Sequence, residues 1–275
     1  MKRRSLLSLL IYALTSLVGL FAFVSPLAMP VLMRSGTSGS TAAQSPLLTT
    51  FVVSACFVIL LLEIQGDAVD TKFVALLGVL VALNAVLRFA ETAIPGPGGF
   101  SPIFFLILTT GYVFGARFGF LMGALTLLVS ALVTGGIGPW LPYQMLVAGW
   151  VGLSAALFRR PAHRLHWEGR RAEVIMLTLL GGMWGLLFGA LMNLPFWAYT
   201  TLPAEQQLTG AQSFWDALQR YLAFYFASSL AWDVARLLGN VTLLLLFAAP
   251  TLRTLRRFRR RFVFTYNPTE LPEGL

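Results

Sequence analysis

Charged residues are scarce in this sequence. They make up 11% of its 275 residues, whereas hydrophobic residues make up 57%. A soluble domain carries about 25% charged residues. The core of a soluble protein could not bury this much apolar surface, but a lipid bilayer accommodates it. The composition therefore predicts a membrane protein.

Cysteine and histidine are also rare. The one cysteine, Cys56, lies inside an apolar run, which excludes an intramolecular disulfide and a cysteine metal site. The two histidines, His163 and His166, have only Glu168 close to them in sequence and make a poor metal site. We therefore expect no metal site and no resident cofactor.

Long apolar runs dominate the rest of the chain. A spanning helix needs about 20 mostly apolar residues, and the runs predict an all-α, polytopic membrane bundle. The predicted spans are residues 6–32, 47–64, 73–94, 102–114, 118–133, 142–158, 174–199 and 221–249. The first run is longer than the roughly 7–15 residues of a signal-peptide core, so we expect a retained helix there.

The end of the last span is marked by a proline. We expect Pro250 to stop this helix, and residues 214–220 to form a short surface helix that leads into the span.

Basic residues predict the orientation of the spans. They cluster before the first span, around Arg117, in residues 159–171 and in residues 253–261, whereas Arg34 and Arg220 are the main basic residues of the opposite loops. The positive-inside rule then places the N- and C-termini in the cytoplasm. The run 253–261 directly follows a span, so we expect it to contact anionic lipid head groups rather than RNA.

The predicted organisation has three parts. Residues 1–68 are a two-helix membrane extension, residues 69–250 are a six-helix core, and residues 251–275 are a basic cytoplasmic tail. The sequence has no nucleotide-binding P-loop, so we expect that this chain does not hydrolyse ATP itself.

The segment 95–157 is the most distinctive. Its glycines at 111, 115, 119 and 123 recur every four residues, a spacing that allows close helix packing in membranes. A Gly- and Pro-rich loop then leads to Trp140, Tyr143 and Gln144 at the start of a helix. A tryptophan in this place is often an interface anchor, but aromatics with one amide also suit a planar, partly polar ligand. Both interpretations stay open on residue chemistry alone.

Three pieces of this segment resemble the substrate-specific S components of energy-coupling factor (ECF) transporters. They are residues 111–119 (GYVFGARFG), the helix of residues 123–130, and residues 138–145 (GPWLPYQM). The last piece is most similar to S components for cobalamin-type substrates. The resemblance covers roughly residues 70–250, and the two leading helices depart from the usual six-helix pattern.

The resemblance implies a function and partners. An S component is a six-helix bundle that binds a vitamin from outside and associates with a membrane coupling protein and two cytoplasmic ATPases. The vitamin is cargo, not a cofactor. By this similarity Gly78 and Ala82 would pack on the coupling protein, although packing within the chain is an alternative for this small-residue pair.

Candidate ligand contacts come from the predicted outer ends of the core helices. We expect Asn193, which precedes Pro195, to bond backbone freed by a kink rather than a ligand, but we keep it as a candidate. The candidates from these ends are Trp140, Tyr143, Gln144, Asn193, Trp197 and Tyr199.

Charged residues within the spans supply further candidates. Arg88 and Glu91 are three residues apart, as are Asp233 and Arg236, with Trp232 beside the second pair. An internal ion pair is the cheapest explanation of each, and ligand binding is the alternative. Arg88, Glu91, Trp232 and Asp233 therefore join the candidate substrate-binding residues.

Two other functions compete with an importer subunit. A stand-alone secondary transporter or channel often shows inverted repeats, and we find no repeat of the two halves. An intramembrane enzyme needs a nucleophile with a base or a metal set, but the predicted spans hold no histidine and the sequence has no Gly-x-Ser-x-Gly elbow. We therefore expect no enzyme activity and no catalytic residues.

Overall fold

The computed structural model describes residues 13–25, 27, 54, 55, 58, 71–93, 99–197, 203, 206 and 213–262. These parts of the chain contain helices and no strand. The helices are α1 (Ala13–Ser25), α2 (Thr71–Ala93), α3 (Ile103–Phe114), α4 (Ala116–Thr134), α5 (Leu141–Leu157), α6 (Arg159–Arg164), α7 (Arg171–Trp197), α8 (Phe214–Ser228) and α9 (Leu230–Phe262).

Six of these helices form the predicted core. Four of them (α2, α4, α7 and α9) are long and apolar enough to cross a membrane, and so is α5 together with α6. The sixth, α3, has only 12 residues, and nearly all of them are buried among its neighbours. At 1.5 Å per residue it rises about 18 Å, less than the roughly 30 Å of a bilayer core. The all-α membrane bundle predicted from the sequence is confirmed.

Glycines bring the backbones of α3, α4 and α5 into contact. A Cβ added at Gly111 would lie 2.2 Å from the Gly152 carbonyl oxygen, and one at Gly119 would lie 2.4 Å from the same oxygen. A Cβ at Gly123 would lie 2.0 Å from the Ala148 carbonyl oxygen. The prediction that the glycine repeat serves helix packing is confirmed for these three positions.

The fourth glycine of the repeat has another role. Gly115 stands alone between α3 and α4 with φ of 103°. Side-chain-bearing residues avoid this conformation, whereas glycine adopts it freely. A single residue therefore makes the turn between two helices that pack closely on each other.

The N-terminal helix α1 packs on the core through α5. The Trp150 Nε1 donates a hydrogen bond to Ser16 Oγ at 3.0 Å, and the Phe23 ring lies edge-on to Tyr143 at 5.2 Å between ring centroids. A Cβ at Gly19 would overlap the Leu146 side chain at 2.0 Å. The helix outside the six-helix core is thus in direct contact with it.

The last span differs from the prediction at both ends. The surface helix α8 runs to Ser228 rather than stopping at residue 220, and α9 begins at Leu230 and continues through Pro250 to Phe262. The expectation that Pro250 ends the helix is wrong. Proline in a helix interior costs about 3 kcal/mol, but a buried stripe continues on both sides of it at Leu244, Ala248, Leu252 and Leu255 and holds the helix in place.

The two ends of the bundle differ in charge. The basic end contains the start of α2, the turn at Gly115, α6, the start of α7 and the last turns of α9, with Arg117, the arginines of residues 159–171 and those of residues 253–260. The Trp140 end contains the end of α2, the starts of α3, α5 and α9, and α8. Clustering of the basic residues at one end is what the positive-inside pattern requires.

Candidate substrate-binding site

A pocket opens at the Trp140 end between α2, α4 and α5. It has a volume of about 540 Å³, and we call it the Trp140 pocket. Its wall includes three of the residues predicted as ligand contacts, Arg88, Trp140 and Gln144. The structure therefore gathers one cation, one aromatic ring and one amide from separate elements into a single concave site.

The turn before α5 positions the aromatic side of the pocket. Gly135 ends α4 in the left-handed conformation, with φ of 69°, and donates a backbone hydrogen bond to Ala131. Trp140 follows at the start of α5, and its Nε1 donates to the Gly136 carbonyl oxygen at 3.2 Å. The Trp140 side chain stays 43% exposed, so its ring remains available to a ligand. Gln144 lies one turn further into α5.

Polar contacts fix the cation of the pocket. The Arg88 Nη1 lies 3.4 Å from Glu91 Oε1, which confirms the predicted ion pair. The other carboxylate oxygen of Glu91 accepts a hydrogen bond from Ser101 Oγ at 2.7 Å. Glu91 is thus held from two sides, and its position holds the Arg88 guanidinium at the pocket wall.

A second ion pair lies nearby in α9. The buried Asp233 pairs with Arg236, as predicted, and Gly189 of α7 makes room for it, since a Cβ there would lie 2.0 Å from Asp233 Oδ1. The Arg236 guanidinium lies over the Phe188 ring, 5.4 Å from its centroid. Arg236 is also close enough to act electrostatically on Glu91, so the two ion pairs lie near each other at this end of the bundle.

Tyr225 of α8 lies beside Asp233. Burial, together with the neighbouring Asp233 carboxylate, raises the pKa of Tyr225 to about 12. Its hydroxyl therefore stays protonated at neutral pH and can act as a donor toward Asp233. No feature of the sequence pattern had singled out this tyrosine.

Several predicted contacts do not line the Trp140 pocket. Tyr143 is buried against Phe23 of α1. Trp197 is buried, and its Nε1 donates to the Gln206 carbonyl oxygen at 2.8 Å. Trp232 is largely exposed on α9. Tyr199 lies outside the described residues.

Asn193 makes a contact that the sequence did not predict. Its Nδ2 donates to Ser229 Oγ at 2.6 Å, and the expectation that it bonds backbone freed by Pro195 is wrong. Ser229 is the single residue between the end of α8 and the start of α9. Asn193 therefore ties the end of α7 to the junction of α8 and α9.

The pocket also includes residues that sequence reasoning missed. Ser130 and Thr134 of α4 line it, together with Phe89 of α2. Ser130 and Thr134 are four residues apart and share one face of the helix. That spacing was a usable signal, because it marks two hydroxyls at the predicted outer end of a span.

Sequence reasoning also missed Glu173, a buried acidic residue at the basic end that lies outside the Trp140 pocket. Tyr112 Oη donates to Glu173 Oε1 at 2.6 Å, the Gly169 backbone N–H donates to Oε2 at 2.9 Å, and Arg256 pairs with the same carboxylate. An isolated acidic residue in the first turn of an apolar span was the available signal, because helix N-termini favour negative charge.

The small-residue pair of α2 faces away from the described core. Gly78 and Ala82 are exposed, and a Cβ at Gly78 would meet no atom of the described residues within 4 Å. Val79 and Leu83, on the adjoining surface, are also exposed. Within the described part of the chain, this face is not used for packing.

Acidic and metal-binding side chains do not gather elsewhere in the described residues. Those residues contain no group of three or more His, Cys, Asp or Glu side chains that could hold a metal ion. The polar side chains that line the Trp140 pocket are Arg88, Trp140, Gln144 and the hydroxyl residues Thr92, Ser130 and Thr134.

Comparison with known proteins gives one match. Residues 72–248 match the family model described as ECF transporter, substrate-specific component. A search of curated proteins and a search of solved structures give no match. The matched segment begins in α2 and ends in α9, and it contains every residue that lines the Trp140 pocket.

Proposed function

This chain belongs to the family of substrate-specific components of ECF transporters, and we propose that it captures a vitamin or related micronutrient in the Trp140 pocket. The family is a substrate-binding component of a transporter and not an enzyme class. A cobalamin-type ligand is the first candidate, because residues 138–145 resemble the corresponding turn of S components for such substrates.

The observation that carries this proposal is the convergence of Arg88, Trp140 and Gln144. A tryptophan face stacks on planar rings, a glutamine amide both donates and accepts hydrogen bonds, and an arginine binds carboxylate or phosphate groups. Vitamins combine a ring system with such polar groups. These three side chains therefore match the chemistry of the proposed cargo.

The size of the pocket bears on the choice of ligand. Its volume of about 540 Å³ lies within the roughly 300–1,000 Å³ of small-molecule sites. A single-ring or fused-ring vitamin fits into this space. A corrinoid is larger than a drug-sized ligand, so in our proposal only one edge of it enters the pocket.

Orientation follows from the charge asymmetry. We place the basic end in the cytoplasm and the Trp140 end outside, in a bacterial cytoplasmic membrane, with both termini inside. Arginine clusters on α6, the start of α7 and the end of α9 support this placement. The pocket then opens toward the side from which an importer collects its cargo.

The partners proposed for this chain are an ECF coupling protein and two ATPase subunits. We assign the coupling protein to the face of α2 that carries Gly78 and Ala82. Small residues let helices approach closely in a membrane, and this face is exposed beside the basic end. ATP hydrolysis by the partners, not by this chain, would then drive delivery of the cargo inward.

The test of the proposed function starts with ligand identification. The full chain is purified in neutral detergent, co-purified small molecules are identified by mass spectrometry, and calorimetry measures binding of cobalamin, thiamine, riboflavin and biotin. We expect one compound to co-purify and to bind the isolated chain at one site. Absence of binding by any vitamin or precursor, together with no association with a coupling protein, would contradict the proposal.

A further inference from the structure

A second pocket lies at the basic end, far along the bundle from Trp140. It has a volume of about 450 Å³, and Arg256, Arg259, Arg260 and Glu168 line it. Arg159, at the start of α6, lies close enough to act electrostatically on Arg259. Three guanidinium groups therefore line this space, which we call the arginine pocket, and a fourth lies near it.

Arginines outnumber acidic groups at the arginine pocket. Arg256 pairs with the buried Glu173, whereas Glu168, 3.6 Å from His163 Nδ1, is the one carboxylate that lines the pocket, and it acts electrostatically on Arg259. No ion pair joins Arg259 or Arg260 to an acidic residue within the described part of the chain. Like charges gathered in this way repel one another, and a bound anion would relieve that repulsion.

The depth of the arginine pocket fits a membrane surface. Arg256, Arg259 and Arg260 lie in the last turns of α9, at the end of the apolar stretch Leu230–Arg260 that is long enough to cross a membrane. Lipid head groups occupy this depth, and each basic residue there attracts anionic lipid.

An apolar groove of about 600 Å³ lies on the same loop. Phe158, Leu165 and Trp167 line the groove together with the exposed side of α7 at Ile175 and Met183. Glu168, which lines the arginine pocket, directly follows Trp167 in the sequence, and Arg159 directly follows Phe158. The loop therefore contributes to both a cationic site and an apolar groove, the two parts that an amphipathic ligand needs.

We propose that the arginine pocket binds the phosphate of an anionic phospholipid head group, with an acyl chain of that lipid in the neighbouring groove. Arginine binds phosphate oxygens through paired N–H groups, which makes a cluster of arginines well suited to this ligand. An acidic surface of a partner protein would satisfy the charge, but it would not explain the apolar groove at head-group depth.

The experiment is native mass spectrometry of the full chain in neutral detergent. The protein is titrated with phosphatidylglycerol and, in parallel, with zwitterionic phosphatidylcholine. We expect tighter retention of phosphatidylglycerol, and about 30-fold weaker retention in the variant R259Q/R260Q. Each arginine contributes about 1 kcal/mol at an anionic lipid surface, and about 1.4 kcal/mol corresponds to tenfold.

Two further variants make the result specific. R253Q/R257Q removes two exposed arginines of the same helix that do not line the pocket, and we expect less than about threefold change for such solvated charges. R259K/R260K keeps the charge but loses the paired N–H groups, and we expect it to retain more of the binding than R259Q/R260Q. Retention by the lysine variant also shows that these two positions tolerate substitution without loss of the fold.

Four results would overturn the proposal. They are equal retention of the two lipids, an equal loss in both glutamine variants, displacement of the lipid by millimolar inorganic phosphate, and a loss in R259Q/R260Q that affects only association with a coupling protein. The third would indicate a free anion and the fourth a protein partner. Vitamin binding at the opposite end does not enter this measurement, so the proposed function and the lipid site fail independently.

Discussion

The two ends of the helix bundle each hold a buried carboxylate paired with an arginine, but their surroundings differ. At the basic end both oxygens of Glu173 are engaged, one by Tyr112 and Arg256 and the other by a backbone N–H. At the Trp140 end, Asp233 pairs with Arg236 through Oδ1, and the Tyr225 hydroxyl of α8 is a second donor beside it. The ion pair at the basic end joins two helices, α7 and α9, whereas the pair at the Trp140 end lies within α9 alone.

This difference indicates that the two ends of the bundle have different roles. A fully satisfied buried network fixes the relative positions of the helices that it joins, and Glu173 joins α7 to α3 and α9. Open volume lined by polar and aromatic side chains is expected where a protein binds a small molecule. The Trp140 pocket has this composition, and we propose that end of the bundle as the place for cargo.

The largest effect that we expect is on stability at the basic end. Glu173→Gln removes the charge that pairs with Arg256, and loss of one partner of a buried pair costs about 3 kcal/mol. The free energy of unfolding in detergent measures this cost. Glu168→Gln is the matched control, because Glu168 is an exposed glutamate of the adjoining loop, and its cost should stay below about 1 kcal/mol. Equal stability of the two variants would contradict the claim that the Glu173 network fixes the helices at this end.

The corresponding substitution at the Trp140 end should lower the free energy of unfolding by a smaller amount. Asp233→Asn keeps the shape of the side chain and gives it an amide that can donate to its neighbours. Arg236 would keep its contact with the Phe188 ring and with the Gly185 carbonyl oxygen. We therefore expect a loss of about 1–2 kcal/mol, measured in the same unfolding assay. A loss as large as that of Glu173→Gln would erase the contrast between the two ends.

A substitution on the exposed face of α2 that carries Gly78 and Ala82 should affect stability less than either change above. Gly78→Leu adds a bulky side chain where the described residues leave space, so the stability of the isolated chain should change by less than about 1 kcal/mol. Association with a coupling protein should weaken about tenfold, because a large side chain separates closely packed helices. Co-purification with tagged coupling protein measures the association. Val79→Leu, on an adjoining exposed surface, is the control, and equal weakening by both variants would contradict the assignment.

Much of the fold could be predicted from the sequence because its signals are local. Apolar runs identified the core spans, and the three-residue spacing of Arg88 and Glu91 identified an ion pair within one helix. The glycine repeat indicated close packing, although only the structure shows that Gly152 of α5 is the partner of both Gly111 and Gly119. Local patterns specify helices, and they say little about which helices meet.

The site was harder to predict for the same reason. Trp140 and Gln144 were found because a turn places them together on one helix. The spacing of Ser130 and Thr134 marks the outer end of another helix, but it does not show that this helix faces the turn. The prediction for Pro250 was wrong because it considered only the local effect of proline on a helix. Packing of the buried residues on both sides of Pro250 stabilises α9 through that position. Asn193 was misread because its partner, Ser229, is 36 residues away.

The measurement that tests the central claim most directly is a calorimetric titration of Trp140→Ala with the vitamin that binds the wild-type chain. Trp215→Ala is the matched control, because Trp215 is an exposed tryptophan of α8 outside the pocket. Aromatic stacking on a planar ligand contributes about 0.5–1.5 kcal/mol beyond the buried area. We therefore expect Trp140→Ala to raise Kd about tenfold and Trp215→Ala to leave it within about twofold. Equal affinities of wild type and Trp140→Ala would contradict the claim that the Trp140 pocket is the substrate site.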